Sequence, residues 1–307
     1  MSNSLHILNG DSTLQIFQQS SLEGQTFVWR EVLCDGPIHS EFNNPAFWEQ
    51  RKSYMSAFVT TAADYEEKVL QPFKSIEEKI ATFDEIVLWF EYDLFCQINM
   101  LTLIHWLGEL RSSTQTISLV CSGKMDESDK LYGLGELKPE QLEKLFQNRL
   151  KLNTREFNFA SGVYQAYCSP NPDSLYTYIL MPSDEFVYTS DALSAHFRRF
   201  PYVDSGLSEI EQKILELIGQ GVDNANDLVG QLLRWQKHYG FGDLQYFQIL
   251  NDLKPLFSDF ENLELKVGTE LSSAIQHLDR NKPLGGAYLK DWNYDPSIGE
   301  LVNKLDQ

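Results

Sequence analysis

The sequence predicts an α/β protein with an N-terminal three-layer, Rossmann-like parallel sheet, a helical connector and a C-terminal winged-helix-like α+β unit. Short apolar runs alternate with segments of helical periodicity over residues 1–125, which indicates strands separated by helices. Residues 86–90 are apolar at every position, which is typical of a strand covered on both faces. A capping box before three helical segments predicts the last unit. The predicted domains are therefore 1–125, 126–200 and 201–307.

Four strands are predicted in the N-terminal domain. They cover residues 5–9, 26–33, 85–90 and 116–121. After the third of them, Leu94, Ile98 and Leu101 recur at the spacing of one helix face. Because helical segments separate the strands, we expect a parallel sheet with residues 86–90 in its interior.

The rest of the chain reads as helices followed by short strands. Pro139 stands where a helix would start, and the apolar periodicity after it predicts a helical connector. Ser208 and Glu211 form the capping box of the next helix. Further helices are predicted over 224–235 and 243–257, and strands over 263–268 and 285–292. Three helices followed by a hairpin with a long loop is the winged-helix order.

Charge restricts the classes of partner. The chain has 44 Asp and Glu against 25 Lys and Arg, a formal net charge of −19, so its average surface repels phosphate backbones and anionic membranes. From residue 196 onward 11 Lys and Arg stand against 17 Asp and Glu, a net charge of −6. A DNA-reading unit normally has a basic face, so we expect no nucleic acid partner and leave a protein partner open.

The N-terminal residues and the cysteines bear on location. MSNSLHILNGDS has no basic segment followed by a long apolar one, which predicts no secretory signal, and no apolar run approaches bilayer length. The four cysteines stand far apart without a C-x-x-C pair. We therefore expect reduced thiols, a cytoplasmic protein and no membrane partner.

A compact polar turn follows each predicted strand. Because parallel strands end at one edge of a sheet, and ligands of open α/β sheets bind at that edge, we expect these turns to form the rim of a ligand site. The rim predicts two catalytic carboxylates, Asp11 and Glu91. Its predicted ligand-binding residues are Asn9, Gly10, Ser12, Glu31, Asp35, Gly36, Asp93, Gln97 and Gly123.

The residue types at the rim leave several chemistries open. Carboxylates disfavour a pure phosphate cradle, but they accept sugar hydroxyls, act as general acids and bases, or hold Mg²⁺ or Mn²⁺. No spacing specifies a metal, so no metal ligands are predicted. The alternative interpretation is structural, because Asp11, Ser12 and Asp93 also stand where they would cap helices.

Blocks of this sequence resemble known bacterial families. LHILNGDS, WREVLCDGPI (29–38) and VLWFEYDLFCQINML (87–101) resemble the family catalogued as domain of unknown function 1835. FRRFPYVDSGLSEIEQKILELI and FGDLQYFQILNDLKPL resemble its usual C-terminal companion, domain of unknown function 3658. The resemblance implies that the first three blocks, which contain the rim residues, belong to one domain. It implies no activity, substrate or catalytic residue.

Two functions follow as hypotheses. The first is a protein, enzyme or not, that binds a small polar metabolite of the nucleotide or sugar phosphate class at the carboxylate-lined edge of the sheet. The second is a ligand-sensing regulatory or protein-interaction module whose winged-helix-like unit does not bind DNA.

Overall fold

A five-stranded sheet lies at the centre of the molecule, which a computed structural model describes over residues 3–57, 61–125 and 129–306. The strands are ordered β2-β1-β3-β4-β5, with β1 to β4 parallel and β5 antiparallel to β4. They are β1 (Ser4–Leu8), β2 (Gln25–Val28), β3 (Glu85–Phe90), β4 (Thr116–Cys121) and β5 (Leu150–Lys151). The interior position predicted for residues 86–90 is confirmed, because β3 is the middle strand and all five side chains are buried.

Helices lie against both faces of this sheet. In the first half of the chain they are α1 (Asp11–Phe17), α2 (Pro45–Ser56), α3 (Ala62–Tyr65), α4 (Gln71–Glu77) and α5 (Leu94–Leu110). Along β3, Leu88 and Phe90 join the apolar core under α5, whereas Val87 and Trp89 join a second core with Phe17 of α1. This division follows from the strand itself, whose successive side chains point to opposite faces.

The second strand ends earlier than the sequence predicts. β2 stops at Val28; the Trp29 amide still donates to the Leu8 carbonyl at 2.8 Å, and residues 30–34 leave the sheet. The predicted strand over 26–33 is therefore wrong in its second half. The buried carboxylate of Glu31 accounts for the difference, because it pairs with the guanidinium of Arg51 on α2 at 2.9 Å and draws this segment toward α2.

Residues 139–197 are mainly helical. The helices are α6 (Pro139–Gln147), α7 (Thr154–Tyr167), α8 (Asp173–Leu180) and α9 (Thr189–Phe197). Pro139 lies in the first turn of α6, where its missing N–H costs no helical hydrogen bond. The sequence does not reveal β5, because two residues are too few to show a strand period.

The C-terminal part begins with three helices and continues with short hairpins. Its elements are α10 (Glu209–Gly219), α11 (Ala225–Trp235), α12 (Asp243–Asp252), β6 (Phe257–Asp259), β7 (Glu264–Leu265), α13 (Gly268–Gln276), β8 (Pro283–Leu284), β9 (Ala287–Tyr288), β10 (Trp292–Asp295) and β11 (Glu300–Asn303). The predicted capping box is confirmed: the Glu211 amide donates to Ser208 Oγ at 3.3 Å, and the Ser208 amide donates to Glu211 Oε2 at 2.7 Å.

The predicted hairpin between residues 263–268 and 285–292 does not form. β7 pairs with β6 and β9 pairs with β8 instead, because each finds a partner only a few residues away. Helix α13, which the sequence analysis did not predict, separates the two hairpins.

One continuous apolar core contains residues from all three predicted domains, among them Leu5, Phe157 and Leu301. The N-terminal part also meets the end of the predicted connector through the Asp35 carboxylate and the Arg199 guanidinium, 2.8 Å apart. Among the described residues, no helix combines the length and the apolar character that a membrane span requires.

Candidate functional site

An open cleft lies at the carboxyl ends of β1 and β3. Its volume is about 520 Å³. Two segments distant in sequence complete its walls: the turn at 133–136, and residues 233–241, which end α11 and lead to α12. The lining residues are Asn9, Gly10, Ser12, Thr13, Glu91, Tyr92, Asp93, Gly133, Gly135, Glu136, Leu233, Gln236, Lys237, Gly240 and Phe241.

The Glu91 carboxylate is held in place on one side of the cleft. Asn9 Nδ2 donates to Glu91 Oε1 at 2.9 Å, and the Leu134 amide donates to the same oxygen at 2.8 Å. Thr13 Oγ1 donates to Asn9 Oδ1 at 2.7 Å, which fixes the orientation of the Asn9 amide. Glu91 Oε2 accepts no hydrogen bond from the residues that the structure describes, so it is available to a ligand.

Asp93 lies beside Glu91 at the start of α5. Its Oδ1 accepts a hydrogen bond from the Cys96 amide at 2.8 Å, so the predicted helix cap is present. Gly240 packs against the same carboxylate: its φ is +67°, and a Cβ atom there would lie 2.2 Å from Asp93 Cγ. Only glycine satisfies both the backbone angle and this close approach.

The segment with Gly240 also caps α5. The amide of Leu94 donates to the carbonyl of His238 at 2.7 Å, and the amide of Phe95 donates to the carbonyl of Tyr239 at 3.2 Å. Two of the amides that a helix leaves free at its start are therefore used by the C-terminal part of the chain. An anion at this helix start would have to displace those carbonyls.

The two carboxyl groups influence each other's ionisation. Burial, together with the charge of Glu91, raises the pKa of Asp93 to about 7. Burial also raises the pKa of Glu91, while the hydrogen bonds from Asn9 and the Leu134 amide lower it. Since both shifts favour the neutral acid, the pair retains a proton much closer to neutral pH than ordinary carboxyl groups do.

The charges that line the cleft are mostly negative. Glu91, Asp93 and Glu136 contribute carboxylates, and Lys237 is the one cationic residue among the described lining residues. The cleft therefore suits hydroxyl or amine donors better than a bare phosphate.

Glu91, Asp93 and Cys96 bring potential metal ligand atoms within 4.8 Å of one another. Mg²⁺ and Mn²⁺ prefer oxygen ligands, which Glu91 and Asp93 supply, but the third atom is a thiol sulfur. Burial raises the pKa of Cys96 well above its usual value, so the thiol stays protonated and is a poor ligand. Of the three groups in this cluster, the two carboxylates are therefore the ones suited to bind a metal ion.

The structure brings some of the predicted site residues together. Asn9, Gly10, Ser12, Glu91 and Asp93 all line the cleft. Gln97 lies behind it, where its Nε2 donates to the Glu91 carbonyl at 2.7 Å and its Oε1 accepts from Thr189 Oγ1 at 2.7 Å. Gln97 therefore supports the cleft wall and does not line it.

The expectation that the rim carboxylates share one cleft is wrong for three of them. Asp11 points away and pairs with Arg30 at 2.6 Å on the surface. The other two, Glu31 and Asp35, are engaged by arginines: Glu31 by Arg51, and Asp35 by Arg199. Each of these three carboxylates is turned toward an arginine elsewhere in the chain. The order of strands in the sheet does not reveal these pairings.

The predicted glycines Gly36 and Gly123 also lie outside the cleft. Gly36 has a φ of +72° and packs against the Tyr54 ring, and Gly123 packs against the Tyr188 ring. Both positions are explained by close packing.

The two far walls of the cleft were not predicted from the sequence. For the wall at 133–136, the sequence signal is the pair of glycines Gly133 and Gly135. A Cβ on Gly133 would lie 3.0 Å from Glu91 Oε2, and a Cβ on Gly135 would lie 2.8 Å from Ser12 Cβ. For residues 236–241 the sequence offers only Gly240 between two aromatic residues, which does not indicate what it contacts.

Comparison with known proteins adds no homologue. No protein-family model matches the chain, and no curated protein matches it either. Membership of the families that its motif blocks resemble therefore stays a prediction.

Proposed function

We propose that this protein binds a small polar metabolite in the cleft, with Glu91 and Asp93 accepting hydrogen bonds from its hydroxyl or amino groups. One observation carries the proposal: a half-buried carboxylate, Glu91, and a buried one, Asp93, line one open cavity of about 520 Å³, and neither forms an ion pair within the described part of the chain. Burying a carboxylate without a cation costs stability, and perturbed carboxyl groups of this kind cluster at functional sites, which favours a role in binding.

The metabolite belongs to the nucleotide or sugar phosphate class in this proposal. Its ribose or sugar hydroxyls bind Glu91 Oε2 and Asp93, as carboxylates bind sugars elsewhere. Lys237 is the cationic residue in the cleft that can meet a phosphate group. The mostly parallel sheet is consistent with this class, because open parallel sheets bind ligands at their carboxyl edge.

The carboxyl pair also suits proton transfer. A group whose pKa lies near 7 exchanges a proton readily at neutral pH, and Asp93 has such a pKa. In the proposed site Asp93 gives up or accepts a proton while Glu91, anchored by Asn9, orients the hydroxyl. Mg²⁺ or Mn²⁺ bound by the two carboxylates is an alternative way to use them.

The experiment is a thermal-shift and calorimetric screen of adenosine, AMP, ribose 5-phosphate and glucose 6-phosphate, each with and without Mg²⁺. We expect at least one to raise the melting temperature, because a ligand that binds only the folded state stabilises it. Glu91→Gln should reduce the affinity for that ligand at least about tenfold, the loss expected for a charge-assisted hydrogen bond. Glu140→Gln, an exposed carboxylate on α6, is the matched control and should leave the affinity unchanged.

A second function is favoured by one specific contact. The segment that carries Gly240 both lines the cleft and caps α5, so a ligand in the cleft touches the proposed winged-helix-like unit formed by α10 to α12 and the β6-β7 hairpin. In that case the protein is a sensor, and hydrogen exchange in α11 should slow when ligand binds. Unchanged exchange in α11 at ligand saturation would exclude the sensor function while leaving binding intact.

A further inference from the structure

A second cavity lies between the end of β4 and the start of β5, where these two strands separate. The antiparallel register pairs Ser118 with Lys151 and Leu119 with Leu150, and the Leu152 amide donates to the Ile117 carbonyl at 2.9 Å. In this register Cys121 would next stand opposite Asn148. The pairing stops before that point because Asn148 ends α6.

The interruption leaves polar backbone groups of β4 without partners. In an antiparallel ladder, residues 117, 119 and 121 direct both their N–H and C=O groups toward β5. Leu119 is paired with Leu150, but the N–H and C=O of Cys121 have no hydrogen-bond partner among the residues that the structure describes. The neighbouring Ser122 amide points the other way and donates to the Phe90 carbonyl at 3.0 Å.

A pocket of about 220 Å³ occupies this gap. Its walls are polar and apolar in nearly equal parts, and both Cys121 and Asn148 line it. The lining residues are Gln97, Met100, Leu119, Val120, Cys121, Leu145, Asn148, Arg149, Leu150, Glu185, Phe186, Val187 and Tyr188. The pocket thus combines one backbone donor and one backbone acceptor with apolar side chains such as Met100 and Phe186.

The charged groups at this pocket are already neutralised within the protein. Arg149 donates through Nε and Nη2 to the two carboxylate oxygens of Glu85, at 2.7 and 3.0 Å, and through Nη1 to the Phe146 carbonyl at 2.9 Å. Glu185 lies 3.6 Å from the guanidinium of Arg155. With no free charge of either sign, the pocket suits an uncharged occupant.

We propose that this pocket binds a small neutral molecule that carries an amide or lactam group on an apolar or aromatic body. The ligand's N–H donates to the Cys121 carbonyl and its C=O accepts from the Cys121 amide, which continues the ladder that β5 leaves. Its apolar body packs between Met100, Phe186 and Val187. This site shares no lining residue with the cleft and does not depend on the function proposed there.

The test uses benzamide as the probe and the full chain labelled with ¹⁵N-cysteine. The chain has four cysteines, so the spectrum contains four backbone amide signals, and Cys121→Ser identifies the one that belongs to position 121. Titration with benzamide should move the Cys121 signal downfield, as a new hydrogen bond to an amide requires, while the Cys34 and Cys168 signals stay in place. A Cys121 signal that does not move at the solubility limit of benzamide overturns the proposal.

Matched ligands separate amide recognition from simple apolar filling. Methyl benzoate keeps the acceptor but lacks the donor, so it should bind about tenfold more weakly than benzamide. Benzoate carries a charge that the pocket cannot neutralise and should bind more weakly still. Binding of either ligand as tightly as benzamide contradicts the inferred ligand class.

Two tryptophan variants locate the binding. Val187 is 55% exposed at the mouth of the pocket, so Val187→Trp should obstruct it without disturbing the core and weaken benzamide binding about tenfold or more. Met181→Trp is the control, because Met181 is 68% exposed nearby and does not line the pocket. Equal benzamide affinity in the two variants places the probe elsewhere and overturns the proposal.

Discussion

The cleft carboxylates, half-buried Glu91 and buried Asp93, differ from the buried carboxylate of Glu31 in what surrounds them. Glu31 has Arg51 at 2.9 Å and also accepts a hydrogen bond from the Tyr65 hydroxyl, so its charge is neutralised inside the protein. Among the described residues, Glu91 and Asp93 have only neutral donors as hydrogen-bond partners, and they line an open cavity. The difference teaches that burial alone does not mark a functional carboxylate; the absence of a neutralising cation is the distinguishing feature.

The largest effect is expected at the Glu31 pair. Arg51→Met should lower the free energy of unfolding by about 3–5 kcal/mol, because it leaves the Glu31 carboxylate buried without a cation. Urea denaturation measures this loss. The double variant Arg51→Met with Glu31→Gln should recover much of it, and a double variant no more stable than the single one would contradict the ion-pair explanation.

The next effect is a pH dependence that belongs to the cleft. The pKa of Asp93 is about 7 in the folded protein, well above the value for an unfolded chain, so the folded state holds a proton that the unfolded state releases. The contribution of Asp93 to the free energy of unfolding is therefore complete below its unfolded pKa, near 4. It is lost as pH rises toward 7, and the loss is on the order of 3 kcal/mol.

Asp93→Asn removes this titration while its side chain can still cap α5. The free energies of unfolding at about pH 5 and about pH 8 should therefore differ less in the variant than in the native chain. Glu140→Gln is the control and should keep the native difference. If Asp93→Asn retains the full pH dependence, that dependence does not come from a raised pKa of Asp93.

How much the sequence could predict depends on how local each feature is. The buried strand β3, the helix α5 after it and the capping box at Ser208 follow from neighbouring residues, and all three are present. Asn9, Glu91 and Asp93 could be placed at the sheet edge because strand ends in a parallel sheet share one side. These features depend on the spacing of residues and on the order of strands and helices along the chain.

Features that need a distant partner could not be predicted in this way. Nothing near Glu31 or Asp35 in sequence indicates that Arg51 and Arg199 neutralise them. The same applies to residues 236–241, which approach Asp93 only because the whole C-terminal part packs against the sheet. The sequence therefore located the edge of the site but not its far walls.

A smaller effect tests the contact between the two parts of the chain. Gly240→Ala should lower the free energy of unfolding by about 1–3 kcal/mol, because alanine is strained at positive φ and its Cβ would clash with Asp93. Gly219→Ala is the control: nothing lies within 4 Å of a Cβ there, and stability should stay the same or rise slightly. Chemical denaturation of both variants gives the comparison, and equal stabilities would show that the Asp93 contact is not tight.

The smallest effect is expected at Asp11. Asp11→Asn breaks only an exposed ion pair with Arg30, so it should change stability by less than about 1 kcal/mol and leave ligand affinity unchanged. Calorimetry with the ligand identified in the screen tests the second part. If Asp11→Asn weakens binding as much as Glu91→Gln does, Asp11 is a site residue after all, and a pairing cation does not exclude a carboxylate from the site.

The carbonyls of His238 and Tyr239 that cap α5 also bear on the order in which the protein matures on the ribosome. Helix α5 leaves the exit tunnel long before residues 238 and 239 are synthesised, so the amides of Leu94 and Phe95 have only water as a partner until then. The start of this central helix is completed only when the C-terminal part docks. In a nascent chain the cleft is therefore incomplete until residues 238 and 239 have been synthesised and have docked.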